Sequence, residues 1–365
     1  MRILFVTGSL VHGGAERHAI TLANRLAERG HTCHFAYVKD DPAQLGRLRL
    51  GPGGEAECMY ATRYFDGGAL LRLHKRIVKS QPTVLVAVNQ YALMYATLAA
   101  RWAAAGGNAR APLATIFHST LYRNAKERLQ MLLYRPFFWA AQRAVFVCEA
   151  QRRHWRKRQV FGRRDEVIYN GVDLEHWQPR PPEERRRLRA ALGIGDAEIV
   201  VGLSAVLRPE KNPVQLVEAL AMLRRRAAGG AAPFRALFIG DGPQRGEVAA
   251  RARQLGVAAD VLVTGFQQDV RPFLAACDVA VLTSFTEAFS LAAIEAMALG
   301  LPLVHSEVGG AAEMVRHGRN GFLYPPGDTA ALAERAMVDA YERMFLELET
   351  TGNGHADLRR TAGAH

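Results

Sequence analysis

The stretch Val279–His305 reads VAVLTSFTEAFSLAAIEAMALGLPLVH and contains one complete strand–helix–strand unit. An apolar run precedes a polar loop, Ser290 is a suitable helix N-cap, and Gly300 closes a segment of helical composition. A second apolar run, interrupted only by Pro302, begins directly after that glycine. Two buried strands joined through a helix are typical of a parallel sheet, so this stretch predicts an α/β fold.

The same alternation of apolar runs and helical periodicity extends along most of the chain. Helical spacing of apolar residues is clearest in Ala15–Arg29 and Val214–Ala227. Two successive series of strands predict two doubly wound domains, at residues 1–172 and 197–330, joined by a charged, proline-rich linker at 173–196. The runs expected to form strands are Arg2–Thr7, Thr32–Val38, Thr83–Val88, Leu113–Phe117, Ala144–Cys148, Glu166–Tyr169, Ile199–Ser204, Arg235–Ile239, Val261–Thr264, Val279–Thr283 and Leu301–His305.

The loops at the carboxyl ends of these strands are where function is expected. Ligands of open α/β sheets bind outside the carboxyl ends of the strands. The two domains are therefore expected to face a cleft into which those loops project. Residues 331–365, which follow the second domain, are expected to form a shortened C-terminal helix and a tail.

The composition of the 365-residue chain is that of an ordinary globular protein, with 49% hydrophobic and 22% charged residues. It excludes the disordered and fibrous classes. The apolar runs are shorter than the roughly 18 residues of a membrane span, and the first residues resemble a strand entering a glycine loop rather than a signal peptide. The four cysteines form no CxxC pair, which argues against a zinc site or disulfide framework and favours a reducing cytosol.

The net charge of +12 is concentrated in Leu121–Asp165, where twelve basic residues accompany three acidic ones. Aromatic residues such as Tyr134, Phe138 and Trp155 are interleaved with them. The segment suits an anionic lipid surface or a phosphorylated substrate; nucleic acid is a weak option because no docking motif accompanies the charge. A solvated helical face over a buried aromatic stripe explains the pattern equally well, so both interpretations stay open.

Two glutamates flank the predicted helix start in the quoted stretch. Glu287 lies in the loop before Ser290, and Glu295 lies in the second turn of the helix. Carboxylates accept hydrogen bonds from the paired hydroxyls of ribose or a sugar ring, and the amides at Ser290 and Leu291 offer a helix N-terminus to an anion. The element is predicted to hold a phosphate and a sugar; the alternative is one glutamate near the helix dipole and one solvated.

Two cations follow the first strand of the second series. Arg208 and Lys211 lie three residues apart in LRPEKN, so both side chains can point to one side. A guanidinium fork beside an ammonium suits a diphosphate, whereas simple solvation is the alternative for either residue alone.

Glycine-rich turns end three other predicted strands. Gly13 and Gly14 open the first helix, where backbone amides can bind an anion, and a tight turn is the alternative. Gly240 in FIGDGP and Gly265 in VTGF allow a ligand to approach the backbone or serve only as turns. Phe266 offers a ring edge to a nucleotide base, although a place in the core is the more common role for such a side chain.

His118 directly follows the predicted strand Leu113–Phe117. At a strand end its imidazole can donate to a sugar hydroxyl or transfer a proton. The alternative is a structural histidine whose ring nitrogens are satisfied within the domain.

Together and in this order, the motifs resemble those of the retaining glycosyltransferases of family four. The resemblance extends over almost the whole chain and implies the GT-B fold, in which two Rossmann-like doubly wound domains face a cleft. The matching segments are GGAERHAITLANRLAERGH at 13–31, VIYNGVDLEHW at 167–177, LRPEKN, LFIGDGP, VTGFQQDV, EAFSLAAIE with EAMALGLPLV, and GGAAEMV.

The resemblance implies transfer of a sugar from a nucleotide-sugar to an acceptor with retention at the anomeric carbon, in cell-envelope polysaccharide or lipopolysaccharide synthesis. By that likeness Glu295 binds the ribose hydroxyls, Glu287 and His118 contact the donor sugar, and Arg208 and Lys211 neutralise the departing diphosphate. No metal or other cofactor is implied, and no Asp-x-Asp pair suggests a divalent-ion site. The other donor-binding residues implied are Gly13, Gly14, Gly240, Gly265, Phe266, Phe289, Ser290 and Leu291.

The implied partners are a nucleotide-sugar donor and a carbohydrate or lipid-linked acceptor. The implied location is the cytoplasm, with the basic segment 121–165 at the inner face of the membrane. The chain departs from the family pattern at Ala288 and Ser290, where glycine is frequent, at Val206, where arginine is frequent, and in its short C-terminal helix. A nucleotide-sugar-binding protein without turnover, or an epimerase or hydrolase on the same fold, are the alternatives.

Overall fold

The computed structural model describes residues 1–119, 125–226, 234–336 and 338. The chain forms two compact units. The first comprises Met1–Asn170 together with Glu287–Phe289, and the second comprises Gly171–Thr286 and the chain from Ser290 onward. Each unit contains one parallel sheet with helices between its strands, which confirms the predicted α/β class.

The first unit is built on a seven-stranded sheet. Its strands are β1 (Arg2–Thr7), β2 (Thr32–Tyr37), β3 (Ala56–Cys58), β4 (Val84–Val88), β5 (Leu113–Phe117), β6 (Arg143–Phe146) and β7 (Arg164–Val167). They pair in parallel in the order β3-β2-β1-β4-β5-β6-β7. Its helices are α1 (Gly14–Glu28), α2 (Gly67–Ser80), α3 (Asn89–Ala105), α4 (Ala125–Ala140) and α5 (Glu149–Arg156).

Strand β1 shows why the predicted runs are apolar throughout. Leu4 and Val6 pack into the core cluster on one face of the sheet, and Ile3 and Phe5 pack into the cluster on the other. All four side chains are at most 4% exposed. A central parallel strand covered by helices on both faces has no polar side, and burial of its apolar area stabilises the unit by roughly 25 cal/mol per Å².

The second unit repeats this design with six strands. They are β8 (Ile199–Ser204), β9 (Phe234–Ile239), β10 (Val261–Val263), β11 (Val279–Leu282), β12 (Leu303–Ser306) and β13 (Gly321–Tyr324), in the parallel order β10-β9-β8-β11-β12-β13. The helices are α6 (Pro182–Ala191), α7 (Pro213–Arg226), α8 (Arg245–Gln254), α9 (Arg271–Ala275), α10 (Leu291–Ala298) and α11 (Ala311–Met314).

The strand order reverses direction at one place in each sheet. In the first unit the reversal lies between β1 and β4, and in the second between β8 and β11. The chain leaves two neighbouring strands in opposite directions at such a point, which opens a crevice outside their carboxyl ends. A ligand site in either unit is therefore expected at the loops that follow these four strands.

Every predicted apolar run overlaps a strand, but β3 and β13 are not predicted. Strand β3 has only three residues, of which two are exposed, so it carries no apolar run. Strand β13 begins at Gly321, where a Cβ atom would overlap the carbonyl oxygen of Leu303. Close packing against the neighbouring strand therefore requires a glycine at this position.

The predicted linker and the segment that follows the second domain both contain helical residues. Helix α6 lies within the linker, where Arg189 is 3% exposed and its Nη1 donates to Asp278 Oδ2 at 3.2 Å. Residues 329–336 are helical. The remainder of the segment 331–365, apart from residue 338, lies outside the described residues.

Gly240 and Gly246 of the second unit differ in whether the backbone leaves room for a side chain. Gly240 has a φ of +145°, and a Cβ atom there would overlap the Ala205 carbonyl oxygen, whereas the Cβ position of Gly246 in α8 is open. We expect Gly240→Ala to destabilise the unit by about 2–4 kcal/mol and Gly246→Ala to be neutral or stabilising by up to about 1 kcal/mol. Thermal unfolding measures both, and equal unfolding temperatures for the two variants would contradict the close approach.

Candidate functional site

The loops that follow β8 and β11 are hydrogen-bonded to each other in the second unit. The Thr283 hydroxyl donates to the Lys211 carbonyl at 2.7 Å, and the Phe285 amide donates to the Glu210 carbonyl at 2.9 Å. β8 and β11 are the neighbouring strands at the reversal of strand order. The two loops joined by these hydrogen bonds therefore form one continuous surface at the carboxyl ends of the strands.

Arg208 and Lys211 share the turn that follows β8. Arg208 has extended backbone and precedes a single 3₁₀ turn, Pro209–Lys211, which ends at Asn212 with a φ of +47°. The Arg208 Nε atom lies 3.8 Å from Glu210 Oε1, and 38% of the arginine side chain is exposed. A guanidinium with this exposure and one long ion pair retains the geometry to donate to a diphosphate.

Helix α10 has the predicted start and stop. Ser290 is its N-cap, with Oγ accepting from the Ala293 amide at 3.4 Å, and the helix begins at Leu291. Gly300, just beyond the helix, has a φ of +75°. The amides at the first turn are therefore the N-terminal donors that the sequence predicts for an anion.

The two glutamates of this element differ in burial. Glu295 lies in the second turn of α10 and is 3% exposed, whereas Glu287 is half-buried in the preceding loop. Carboxylates are seldom buried, because transfer of the charge from water is costly unless hydrogen-bond donors compensate for it. The predicted binding of ribose hydroxyls by Glu295 stays a prediction.

The loops after β9 and β10 meet in an antiparallel bridge between Gly240 and Gly265. The close approach at Gly240 is made by the Ala205 carbonyl, so packing of its own loops explains this glycine, and its contact with a donor stays a prediction. The alternative that Phe266 lies in the core is excluded, since the residue is 54% exposed, and its contact with a nucleotide base stays a prediction. It follows the end of β10 in a loop.

Residues 287–289 are part of the first unit and make their described contacts there. The Asn170 side chain donates to the Phe289 carbonyl at 2.8 Å, and the Cys148 thiol donates to the Ala288 carbonyl at 3.2 Å. The rings of Tyr169 and Phe289 lie 5.0 Å apart. Asn170 belongs to the sequence motif VIYNGVDLEHW, and anchoring of this loop is one structural role for that motif.

The glycine loop after β1 opens α1 as predicted. Gly13 is the N-cap and Gly14 is the first helical residue. The carboxylate of Glu16 folds back over Gly13, so closely that a Cβ atom at this position would overlap it. The positive end of this helix therefore already has an acidic side chain beside it, which the glycine pattern alone does not reveal.

His118 lies at the carboxyl end of β5, and its backbone is held by Asn89. The Asn89 side chain accepts from the His118 amide at 2.9 Å. Asn89 begins α3 directly after β4 and has a φ of +66°, a conformation that asparagine tolerates better than most side chains. Asn89 is not among the predicted site residues, although a polar residue immediately after an apolar strand is a signal that could have found it.

Two side chains of α5 hold the loop on either side of His118. The Gln151 Nε2 donates at 2.8 Å to both the Phe117 and the Ser119 carbonyl, and Gln151 is 1% exposed. The Trp155 Nε1 also donates to the Ser119 carbonyl at 2.8 Å. Gln151 and Trp155 are four residues apart, so both side chains lie on one face of the helix. The sequence spacing alone does not show that this face contacts the loop around His118, because that loop lies far away along the chain.

His18 of α1 packs edge to face against His118, with ring centroids 4.8 Å apart. Burial lowers the pKa of His18 to about 4. Burial and the neighbouring His18 lower the pKa of His118 to about 3. Both rings are therefore neutral near pH 7. Within the described part of the chain, His18 Nδ1 and His118 Nε2 are buried without a hydrogen-bond partner.

This pair predicts a loss of stability in mild acid. The unfolded histidines have a pKa near 6.5 and the folded ones lie far below it, so the unfolded state gains protons first as the pH falls. Going from neutral pH to about pH 5.5 should cost about 1.4 kcal/mol for each histidine. We expect His18→Phe to make the unfolding free energy of the first unit less dependent on pH, as measured by denaturant titration at both values. The control is His12→Gln, at an exposed histidine. An equal change in the pH dependence of the unfolding free energy in both variants would contradict the prediction.

The aromatic residues of the basic segment are mostly in the core. Tyr134, Phe138 and Trp155 are at most 5% exposed and belong to the core of the first unit. The buried aromatic stripe is thus confirmed, and a surface on which these three rings alternate with cations is not formed. Of the remaining segment, residues 121–124 lie outside the described residues.

Neither a metal cluster nor a membrane span is found in the part of the chain that the structure describes. No group of three or more His, Cys, Asp or Glu side chains there is arranged to hold a metal ion. No helix within that part has the length and hydropathy needed to cross a bilayer. All four cysteines are buried and unbridged.

Two sequence families match the chain over most of its length. Residues 12–176 match Glycosyltransferase Family 4, and residues 184–337 match Glycosyl transferases group 1. EpsF of Bacillus subtilis, named as a glycosyltransferase, is 26% identical over 84% of this chain and 79% of its own. A D-inositol 3-phosphate glycosyltransferase of Rhodococcus erythropolis is 34% identical, but the match covers only 53% of this chain and 45% of that protein.

Solved structures show the same architecture. The crystal structure of Anabaena HepE in complex with UDP-glucose has a TM-score of 0.79 at 25% identity, with 94% of each chain covered. WaaG, a glycosyltransferase involved in lipopolysaccharide biosynthesis, has a TM-score of 0.72 at 17% identity, with 98% of this chain and 96% of WaaG covered. Both similarities agree with the two parallel-sheet units described above and confirm the predicted GT-B fold.

Proposed function

Because the chain belongs to the family 4, group 1 glycosyltransferases, we propose that it transfers a sugar from a nucleotide-sugar donor to an acceptor with retention of configuration. One observation carries the proposal. The turn that contains Arg208 and Lys211 is hydrogen-bonded to the loop that leads into the N-terminus of α10. Two cations and a helix N-terminus at one reversal of strand order suit the diphosphate of such a donor. The UDP-glucose complex of HepE supports a donor of this class.

In the proposed reaction the bond between the anomeric carbon and the diphosphate oxygen breaks. The acceptor hydroxyl oxygen forms the new bond on the same face of the sugar, and its proton passes to the departing diphosphate oxygen on that face. Negative charge grows on the departing diphosphate, and Arg208, Lys211 and the amide at Leu291 stabilise it without the need for a metal or other cofactor. Glu295 accepts hydrogen bonds from the ribose hydroxyls, and Glu287 accepts them from the donor sugar.

His118 contributes to this proposal as a neutral donor. Its lowered pKa keeps the imidazole uncharged near neutral pH, so it offers one N–H and one lone pair rather than a positive charge. A neutral ring suits a sugar hydroxyl better than a phosphate. Gly13, Gly14, Gly240, Gly265, Phe266 and Phe289 complete the proposed donor contacts.

We assign the acceptor to the carbohydrates or lipid-linked sugars of cell-envelope polysaccharide or lipopolysaccharide synthesis. The basic segment 121–165 supports this assignment, because acceptors of that kind and the membranes that carry them are often anionic. The proposed location is the cytoplasm, with peripheral attachment to the inner face of the membrane.

A binding panel followed by product analysis tests the proposal. Calorimetric titration with UDP-, GDP- and ADP-sugars should give saturable binding of at least one donor, and absence of binding to all would contradict the proposal. A donor labelled in its sugar should then label an intact acceptor. Binding without product against a broad acceptor panel would favour the binding protein without turnover, release of unattached sugar would favour a hydrolase, and an altered donor sugar would favour an epimerase.

A further inference from the structure

The loop between β3 and α2 displays aromatic side chains at the surface of the first unit. Tyr64 and Phe65 are 48% and 53% exposed. Both rings also contact α3: the centroids of Tyr64 and Tyr91 lie 5.5 Å apart, and those of Phe65 and Tyr95 lie 6.2 Å apart. The rings of Tyr91 and Tyr95 are 5.3 Å apart, so contacts connect all four. We call Tyr64, Phe65 and Tyr91 the aromatic platform.

Hydrogen bonds fix this loop at both ends. Arg72 of α2 donates from Nε to the Met59 carbonyl at 2.8 Å and from Nη2 to the Tyr60 carbonyl at 3.3 Å. At the other end, Asp66 Oδ2 accepts from the amide and the hydroxyl of Thr62 at 3.0 and 3.1 Å. Tyr60 has a φ of +50°, which a bulky side chain adopts only where its surroundings impose it. A loop held in this way loses little conformational entropy when a ligand binds to its exposed rings.

The platform lies at the reversal of strand order in the first sheet, between β1 and β4. Tyr91 is in the first turn of α3, directly after β4, and a Cβ atom at Gly8 after β1 would lie 3.3 Å from Tyr91 Cδ1. The Lys39 amide donates to the Gly8 carbonyl at 2.9 Å, and Lys39 Nζ lies 5.3 Å from the centre of the Tyr91 ring. The platform is therefore beside the crevice in which open α/β sheets bind their ligands.

The charge near the platform favours an uncharged ligand. Residues 59–66 contain one cation and one anion, and residues 38–41, which follow β2, contain one cation and two anions. The start of α1, which follows β1, has the carboxylate of Glu16 against Gly13. These segments offer no excess of positive charge to a phosphate or an anionic headgroup. A nucleotide whose base stacked on the rings would bring its phosphates into the same unfavourable surroundings.

The size and chemistry of the platform suit one sugar ring. The exposed halves of Tyr64 and Phe65 amount to roughly 200 Å², whereas a protein partner covers about 800 Å². A pyranose has a face of C–H groups, which the adjacent oxygens make weakly positive, and a rim of hydroxyls. The negative π face of an aromatic ring attracts such C–H groups. The Lys39 ammonium beside Tyr91 can donate to a rim hydroxyl.

We propose that the aromatic platform binds an uncharged pyranose ring of the acceptor by stacking. The C–H face of the sugar lies on Tyr64 and Phe65, and one of its hydroxyls accepts a hydrogen bond from Lys39 Nζ. The inference rests on the proposed function for the identity of this sugar as the acceptor. It adds the binding site and the chemical class of the sugar.

Saturation-transfer NMR on the full chain tests the proposal. The probes are methyl β-D-glucopyranoside, methyl β-D-galactopyranoside, methyl α-D-mannopyranoside and methyl N-acetyl-β-D-glucosaminide. At least one should receive saturation, most strongly at the axial protons of one ring face. Tyr64→Leu with Phe65→Leu should weaken its binding at least about tenfold, since each aromatic contact contributes several-fold. Lys39→Gln changes only an exposed side chain, so it should fold normally and weaken binding about threefold.

Trp102→Leu is the matched control, because Trp102 is 45% exposed and lies eleven residues beyond Tyr91 on α3. It should leave glycoside binding unchanged. Absence of saturation transfer to all four glycosides, or an equal loss in Trp102→Leu, would overturn the proposal. So would saturation of free uridine, guanosine or adenosine that depends on Tyr64 in a chain that binds no glycoside. A dimer that only the platform variants dissociate, without glycoside binding, would overturn it as well.

Donor titration separates this inference from the proposed function. Platform-dependent glycoside binding by a chain that binds no nucleotide-sugar would uphold the sugar site and contradict the proposed transfer reaction. Donor binding by all variants, without platform-dependent glycoside binding, would do the opposite. In the transfer reaction itself, the double variant should raise the KM for the acceptor at least about tenfold and leave the KM for the donor unchanged.

Discussion

Glu295→Ala is expected to weaken nucleotide-sugar binding about 100-fold or more. The carboxylate is 3% exposed in the second turn of α10 and is proposed to accept hydrogen bonds from two ribose hydroxyls. Each charge-assisted hydrogen bond of this kind contributes about 1.5–3 kcal/mol, and the loss of both leaves ligand hydroxyls without partners. Calorimetric titration of wild type and variant with the best donor of the binding panel measures the change.

Glu334→Ala is the matched control, because this glutamate is exposed in the same unit. It should bind the donor with wild-type affinity. Thermal unfolding of Glu295→Ala and of the conservative Glu295→Gln distinguishes a lost contact from a lost fold. If a folded Glu295→Ala variant binds the donor as tightly as the wild type, the proposed role of Glu295 in binding ribose is wrong.

Arg208→Ala and Lys211→Ala are each expected to lower kcat about 100- to 1000-fold, with a smaller effect on donor affinity. Their charges are proposed to act most strongly when the diphosphate departs, which is when its negative charge is greatest. Arg208→Lys should recover only part of the rate, since an ammonium lacks the planar fork that binds two oxygens. Initial rates at saturating donor and acceptor measure the effect.

Arg225→Ala, at an exposed cation of α7, serves as the control for net charge. It should leave kcat unchanged. If the variants at 208 and 211 turn over at the rate of this control, the stabilisation of the leaving group must come from elsewhere. A rise in KM alone would assign the two cations to ground-state binding.

The fold could be predicted because its determinants are local. Apolar runs such as Arg2–Thr7 and Ile199–Ser204 correspond residue for residue to strands, since central parallel strands are buried on both faces. The start and stop of α10 could be predicted because Ser290 and Gly300 are cap residues directly beside the helix. The order of the strands in each sheet needed the structure, because pairing joins segments far apart in the chain.

The candidate site could be predicted only in part. Arg208 and Lys211 were identified because they share one turn with a recognisable spacing. Asn89, Gln151 and His18 were not, since each acts through contact with a residue 29 or more positions away. For Phe266 the choice between a base contact and a place in the core stayed open, because hydrophobicity alone does not show whether a loop has a sheet face beside it.

The carboxylate of Glu16 over Gly13 makes the two halves of this duplicated architecture chemically unlike. Although both sheets share one strand order, the first helix of the amino-terminal half carries a built-in counter-ion, whereas the turn after β8 carries two cations. Within each unit taken by itself, an anion is therefore repelled by the carboxylate at the start of α1 and attracted by the cations of the turn after β8. Two units of one architecture thus differ in the sign of the charge that their first strand–helix turn accepts.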